Sequence, residues 1–182
     1  FMKAVQEVSP VPVRFDEISS GAKGYYSNTE KEIVIQNGMS ESQTMKTGIH
    51  EVTHAMLHDR DFMEEQGEKK NQMTKEVEAE SVAYTVCQYF GLDTSDYSFP
   101  YIAGWSSSMD MKELRTSMDT IRKTAGSFID SMTEVIQRLM REQPELSLSA
   151  MKQAEILIDR VEQERTLFSG EERNLLVNYA YK

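Results

Sequence analysis

An α+β fold is predicted for this 182-residue chain, and three observations carry the prediction. Residues 11–37 read as β structure, short runs of β-branched and aromatic residues broken by turn-like segments. From Ser40 onward the apolar spacing changes to three and four, the helical period. Finally, all three histidines fall between His50 and His58, where His50-Glu51-Val52-Thr53-His54 reads H-E-x-x-H. That pattern has a mechanism only on a helix.

Each element has its own signal. Val11-Pro12-Val13-Arg14-Phe15 reads as a strand. Gly24–Ser27 and Glu32–Gln36 flank the turn-like Asn28-Thr29-Glu30-Lys31, which predicts a hairpin. Ser40-Glu41-Ser42-Gln43 fits a capping box, so a helix starts there and runs to about His58. Gly48 within it costs about 1 kcal/mol relative to alanine, so another interaction must hold that turn. Asp59 to Met73 reads as a polar loop. A second helix is expected from about Thr74 to Phe90, stopped by Gly91. Residues 92–108 are irregular and aromatic, with Tyr97, Tyr101 and Trp105. Beyond Asp110, the run Met111, Leu114, Met118, Ile121, Ala125, Phe128, Met132, Val135, Leu139 predicts a long amphipathic helix. Pro144 interrupts it, and helices are expected near 149–167 and 170–181. The domain expectation is a core at 1–108 and a helical extension at 109–182 that packs on the core or mediates association.

Composition narrows the function classes. Apolar residues make up 39% and charged residues 27%, enough for a core. A net charge of −10 argues against a nucleic-acid surface, which rests on lysine and arginine. No apolar run approaches the roughly 18 residues of a membrane span. The single cysteine, Cys87, excludes an internal disulfide. With no signal-peptide pattern, the expectation is a reducing, cytoplasmic setting. The chain opens Phe1-Met2 and so reads as an excised or processed piece.

On a helix, His50 and His54 lie one turn apart on one face and can grip one zinc ion. Glu51 then stands beside the metal as general base. A catalytic zinc needs a third protein ligand. His58 lies about 12 Å along the axis from His50 at 1.5 Å rise per residue. It is therefore expected to cap the helix or to hydrogen-bond behind a ligand. The second helix offers Glu76, Glu78 and Glu80. Its apolar arc holds Ala79, Val82, Ala83, Val86, Cys87 and Phe90. Glu76 lies on the flank of that arc, whereas Glu78 points away and is expected on a solvated face. A charge at a core edge is costly unless paired or metal-bound. Glu76 is therefore expected as third ligand, and Glu80, one turn on, as the partner of a ligating histidine.

Together, His50-Glu51-x-x-His54 and Glu76-x-x-Ala79-Glu80-x-x-Ala83 resemble the ImmA/IrrE family of metallopeptidases. That family pairs H-E-x-x-H with E-x-x-A-[N/D]-x-F-A on the following helix. The chain is also similar to the metalloprotease domain of ArdC/LtrC-like antirestriction proteins of plasmids and conjugative elements. Gly24-Tyr25-Tyr26, Thr47–Glu51 and Glu76–Tyr84 carry the resemblance, which covers roughly residues 10–105. It implies a zincin-like (gluzincin) fold, a small sheet over an active-site helix, with His50, His54 and Glu76 as zinc ligands. It departs from the pattern at Gly48, where a bulky apolar residue is usual, and at Glu80, in place of asparagine or aspartate. The second departure keeps Glu80 open as an alternative ligand.

The expected activity is zinc-dependent hydrolysis of peptide bonds in a protein or peptide, in a regulatory or antirestriction setting on a mobile element. Glu51 would take the water proton and pass it to the leaving amine. The Glu32–Gln36 strand, if it is the sheet edge nearest the site, would hold the substrate by strand addition. Tyr84 and Tyr101 are candidate substrate or oxyanion contacts, alongside Tyr97 and Trp105. The alternative is a non-catalytic zinc-binding module that binds a protein partner through its acidic surface. In either case the 110–140 helix is a candidate homodimer interface.

Overall fold

Ile33, Val34 and Ile35 are consecutive and all buried, so their strand is covered on both faces. This places Glu32–Gln36 (β3) in the middle of a three-stranded sheet, order β1-β3-β2, rather than at its edge. β1 (Val13–Asp16) pairs with it in parallel, Val13 opposite Ile33. β2 (Gly24–Ser27) pairs antiparallel, Gly24 opposite Ile35. The expected hairpin is present. The strand expected to offer an open edge is instead flanked on both sides, and β1 and β2 are the edges. The computed structural model describes residues 1–67, 69–92 and 111–142. The helices expected near 149–167 and 170–181 lie outside them, as do Tyr97, Tyr101 and Trp105.

The chain divides into two compact units, Phe1–Ile136 and Gln137–Lys182. In the first, β2 and β3 pack on one long helix, α2 (Glu41–Leu57). Ser40 caps it by accepting from the Gln43 N–H at 3.3 Å. The reciprocal half of the expected capping box is absent, because the Gln43 side chain engages Lys23 and Thr47.

Two helices were not evident in the sequence. α1 (Met2–Val8) buries Ala4 and Val5 and packs on α2. A Cβ on Gly48 would lie 3.1 Å from Met2 Cε and 3.4 Å from Val5 Cγ1. The small residue thus lets α1 approach, and this packing is what holds the glycine turn. α3 (Arg60–Gln66) replaces the expected loop. Asp59 caps it, accepting from the N–H groups of Asp61 and Phe62, and Gly67 closes it at φ 65°.

α4 (Gln72–Tyr89), capped by Asn71, packs along α2. Its Val82, Ala83, Val86 and Cys87 join Ile49, Val52 and Ile35 in the core. The last described helix, α5 (Met111–Glu142), adds Ala125, Phe128 and Met132 to the same core. Earlier in α5 the expected seam does not hold: Met111 and Met118 are exposed, while Ser117 and Thr124 are buried. Among the described residues no helix is long and apolar enough to cross a membrane. The architecture is α+β, a small sheet with helices.

Candidate metal centre

α2 and α4 bring three ligand-type atoms together. His50 Nε2 lies 3.1 Å from His54 Nε2. Oε2 of Glu76 is 3.4 Å from the first and 3.6 Å from the second. Bonds of about 2.0–2.1 Å at tetrahedral angles put neighbouring zinc ligands about 3.3–3.4 Å apart. The triangle is therefore the size that one zinc ion requires, and His50, His54 and Glu76 form a group within reach of one ion.

Each corner has its own support. Glu80 Oε2 lies 3.3 Å from His50 Nδ1, and its other oxygen pairs with Lys46, which is itself buried. Glu80 thus meets the ring nitrogen that faces away from the triangle, and Glu76 meets the one inside it. His54 Nδ1 lies 2.9 Å from His58 Nδ1, and His58 Nε2 lies 3.0 Å from Glu78 Oε2. Lys70 Nζ donates to the same Glu78 oxygen at 2.9 Å. Glu76 gives its spare oxygen, Oε1, to the side-chain amide of Gln72. His58 also ends α2, its N–H donating to the His54 carbonyl.

The placement of Glu78 corrects the expectation of a solvated face: it is 0% exposed. Thr74, Val77 and Ala79 beside it on α4 are buried too. Burial pushes its carboxyl up, but His58, Ser117 on α5 and Lys70 outweigh this and keep it ionised, while its Oε1 makes no hydrogen bond among the described residues. The helical arc of α4 alone could not show this, because part of the cover comes from later in the chain. Gln72, Lys46 and Lys70 were likewise missed. A Gln72-x-x-x-Glu76 pair one turn apart was a readable signal for the first; the lysines carried none.

The electrostatics are those of a cation site. Burial alone pushes His50 down, but hydrogen bonds to Glu76 and Glu80 carry it up to about 9. The neighbouring His50, and after it His54, hold the Glu76 carboxyl well below its usual range. A cluster that holds a proton so firmly offers a divalent cation the same charge in its place. Glu51 is almost fully buried beside the triangle. Burial pushes its carboxyl up against the pull of His50 and His54, and the N–H of Tyr26 donates to it.

That contact comes from the free side of β2. The Gln36 N–H donates to the Lys23 carbonyl. With the alternation of an antiparallel ladder, Gly24 and Tyr26 therefore turn their backbone groups to the open edge. A Cβ on Gly24 would lie 2.6 Å from Thr47 Cγ2 and 3.3 Å from Glu51 Cγ. Only glycine lets the edge come this close to α2.

A cleft of about 330 Å³ opens over the triangle, lined also by Tyr25, Tyr26, Asn28, Gln72 and Lys75. A second, of about 250 Å³, shares Gly24, His50 and Glu51 and reaches Lys23 and Gln43. Tyr84 is half-buried on α4 and lines neither cleft. Tyr101 lies outside the described residues. Tyr26 does line the first cleft, but its hydroxyl is committed to Asp59, and burial with that bond pushes it up to about 12.

No protein-family model matches the chain, and no solved structure matches it. An uncharacterized protein of Bacillus anthracis is 36% identical over 112 residues, 61% of this chain and 18% of that protein. The chain thus spans under a fifth of the length of the curated relative it matches.

Proposed function

We propose that this chain is a zincin-like, zinc-dependent metallopeptidase acting on a protein or extended peptide. The observation that carries the reading is the triangle of His50, His54 and Glu76 with Glu51 buried at its side. His50, His54 and Glu76 would hold one zinc ion. When bound, zinc supplies Lewis acidity, lowering the pKa of a coordinated water to near 7 and polarising a carbonyl.

The protein's own groups do the rest. Glu51, raised by burial, accepts the proton of the attacking water at its carboxylate and delivers it to the leaving amine nitrogen. The Tyr26 N–H favours the ionised form of that carboxylate. The open edge of β2 pairs an extended peptide beside the triangle, supported by the outward backbone groups of Gly24 and the outward carbonyl of Tyr26.

The test is hydrolysis of an unfolded protein or a peptide mixture by the zinc-loaded chain and by Glu51→Gln. Cleavage should fall by about 10²–10⁴-fold in the variant, with zinc content unchanged. Full activity in Glu51→Gln would overturn the mechanism. Zinc uptake without cleavage in the wild type would favour the non-catalytic binding module.

A further inference from the structure

We propose that His58, anchored by Glu78, is a positioning residue that fixes the tautomer of His54 and so presents its Nε2 lone pair to the metal. The proposal rests on the zinc-site reading but not on peptide hydrolysis. It follows from counting protons in a chain of contacts that begins at a buried carboxylate.

Glu78 is wholly buried, and Lys70 at 2.9 Å from Oε2 keeps it an anion, which can only accept hydrogen bonds. His58 Nε2 lies 3.0 Å from that same oxygen, so the His58 proton belongs on Nε2. A neutral imidazole has one N–H, which leaves Nδ1 of His58 an acceptor. His54 Nδ1 is 2.9 Å away and must be the donor. The remaining nitrogen of His54, Nε2, is then a bare lone pair, and it is the atom aimed at His50 and Glu76.

The same logic runs independently on the other histidine. Glu80 meets His50 at Nδ1, so the proton stays there and Nε2 becomes the bare nitrogen once a metal replaces the proton the cluster otherwise holds. Both lone pairs converge with Glu76 Oε2. His50 meets its carboxylate directly, whereas His54 meets Glu78 through a second imidazole. A metal-bound histidine is ordinarily held by a carboxylate, carbonyl or water. Here His58 extends that arrangement by one ring and lets a carboxylate buried behind α2 act on the site.

The experiment compares zinc affinity, by chelator competition, in the full chain and in His58→Asn and His58→Gln. The asparagine carbonyl stands where Nδ1 of histidine was, and the glutamine amide where Nε2 was. His58→Asn keeps the acceptor for His54 and should hold zinc within about threefold of wild type. His58→Gln keeps the partner of Glu78 but loses the acceptor, and should lose about 10–100-fold. A residue that merely pairs Glu78 in the core would give the opposite order, which would overturn the proposal. The tautomers provide a second readout, since long-range 15N spectra of the zinc-loaded wild type should show Nδ1–H on His54 and Nε2–H on His58. Zinc bound through Nδ1 of His54, or a proton on Nδ1 of His58, would overturn it even if a variant fails to fold. If the wild type takes up no zinc, the metal reading falls and the relay with it. Zinc binding with the reversed order of variants sinks the relay alone.

Discussion

Gln72 donates its side-chain amide to Oε1 of Glu76, one turn along α4, and so leaves Oε2 turned toward His50 and His54. The bond divides the two oxygens of one carboxylate between orientation and ligation. Because Gln72 is exposed, its loss leaves the core intact. Gln72→Ala should therefore weaken zinc binding by about tenfold, at the low end for a residue supporting a ligand, with the thermal midpoint of the metal-free chain unchanged. Isothermal titration with zinc checks this.

Gly24 sets the distance between the sheet edge and the candidate base. A Cβ there would sit 2.6 Å from Thr47 Cγ2 and 3.1 Å from the Val34 carbonyl oxygen, so either β2 or α2 must shift. Gly24→Ala should destabilise by about 1–3 kcal/mol, as overpacking does. It should also slow hydrolysis by displacing Glu51 from the Tyr26 N–H. Denaturant midpoints and cleavage rates on one preparation test both effects.

Gly48 should behave differently. The atom nearest its absent Cβ is Met2 Cε, the end of a flexible side chain at 3.1 Å. Gly48→Ala lets Met2 swing aside and gains helix propensity, for a net stabilisation of up to about 1 kcal/mol. Gly48→Leu must push α1 off α2 and should destabilise. Thermal denaturation of the pair separates them.

Asp59 predicts an acid-side effect. Burial pushes its carboxyl up, but Lys31, Tyr26 and the Phe62 N–H outweigh this and bring it from 3.8 to about 2. A carboxyl depressed on folding contributes stability above its unfolded value, near pH 4, and loses it as pH falls toward 2. Wild type should exceed Asp59→Asn in urea midpoint at pH 6, and the gap should close between pH 4 and 2.

The sequence exposed the parts of the site that are local to one helix turn. His50, Glu51 and His54 stand on α2, and Glu76 and Glu80 share a flank of α4, because a period of 3.6 residues fixes which side chains share a face. What it hid depends on contacts between elements. Glu78 looked solvated on the arc of α4 alone, yet Lys70, His58 and Ser117 reach it from three other segments. β3 could be read as a strand but not as the central one, since parallel pairing with β1 leaves no turn signal. α1 carries no side-chain cap to announce it, and its packing depends on Gly48, forty residues away. α3 was missed for another reason: Asp59 and Gly67 do bracket it as cap and stop, but its seven residues are mostly polar and bury only Met63, which reads as a loop.

The central claim is the ligand set, and zinc affinity of Glu76→Ala against Glu80→Ala tests it most directly. Wild type should bind one zinc ion per chain. Glu80→Ala should lose about 10–100-fold, as a residue orienting a ligand does, and Glu76→Ala considerably more, because a ligand itself is gone. A larger loss in Glu80→Ala, or a wild type that binds no zinc, would contradict it.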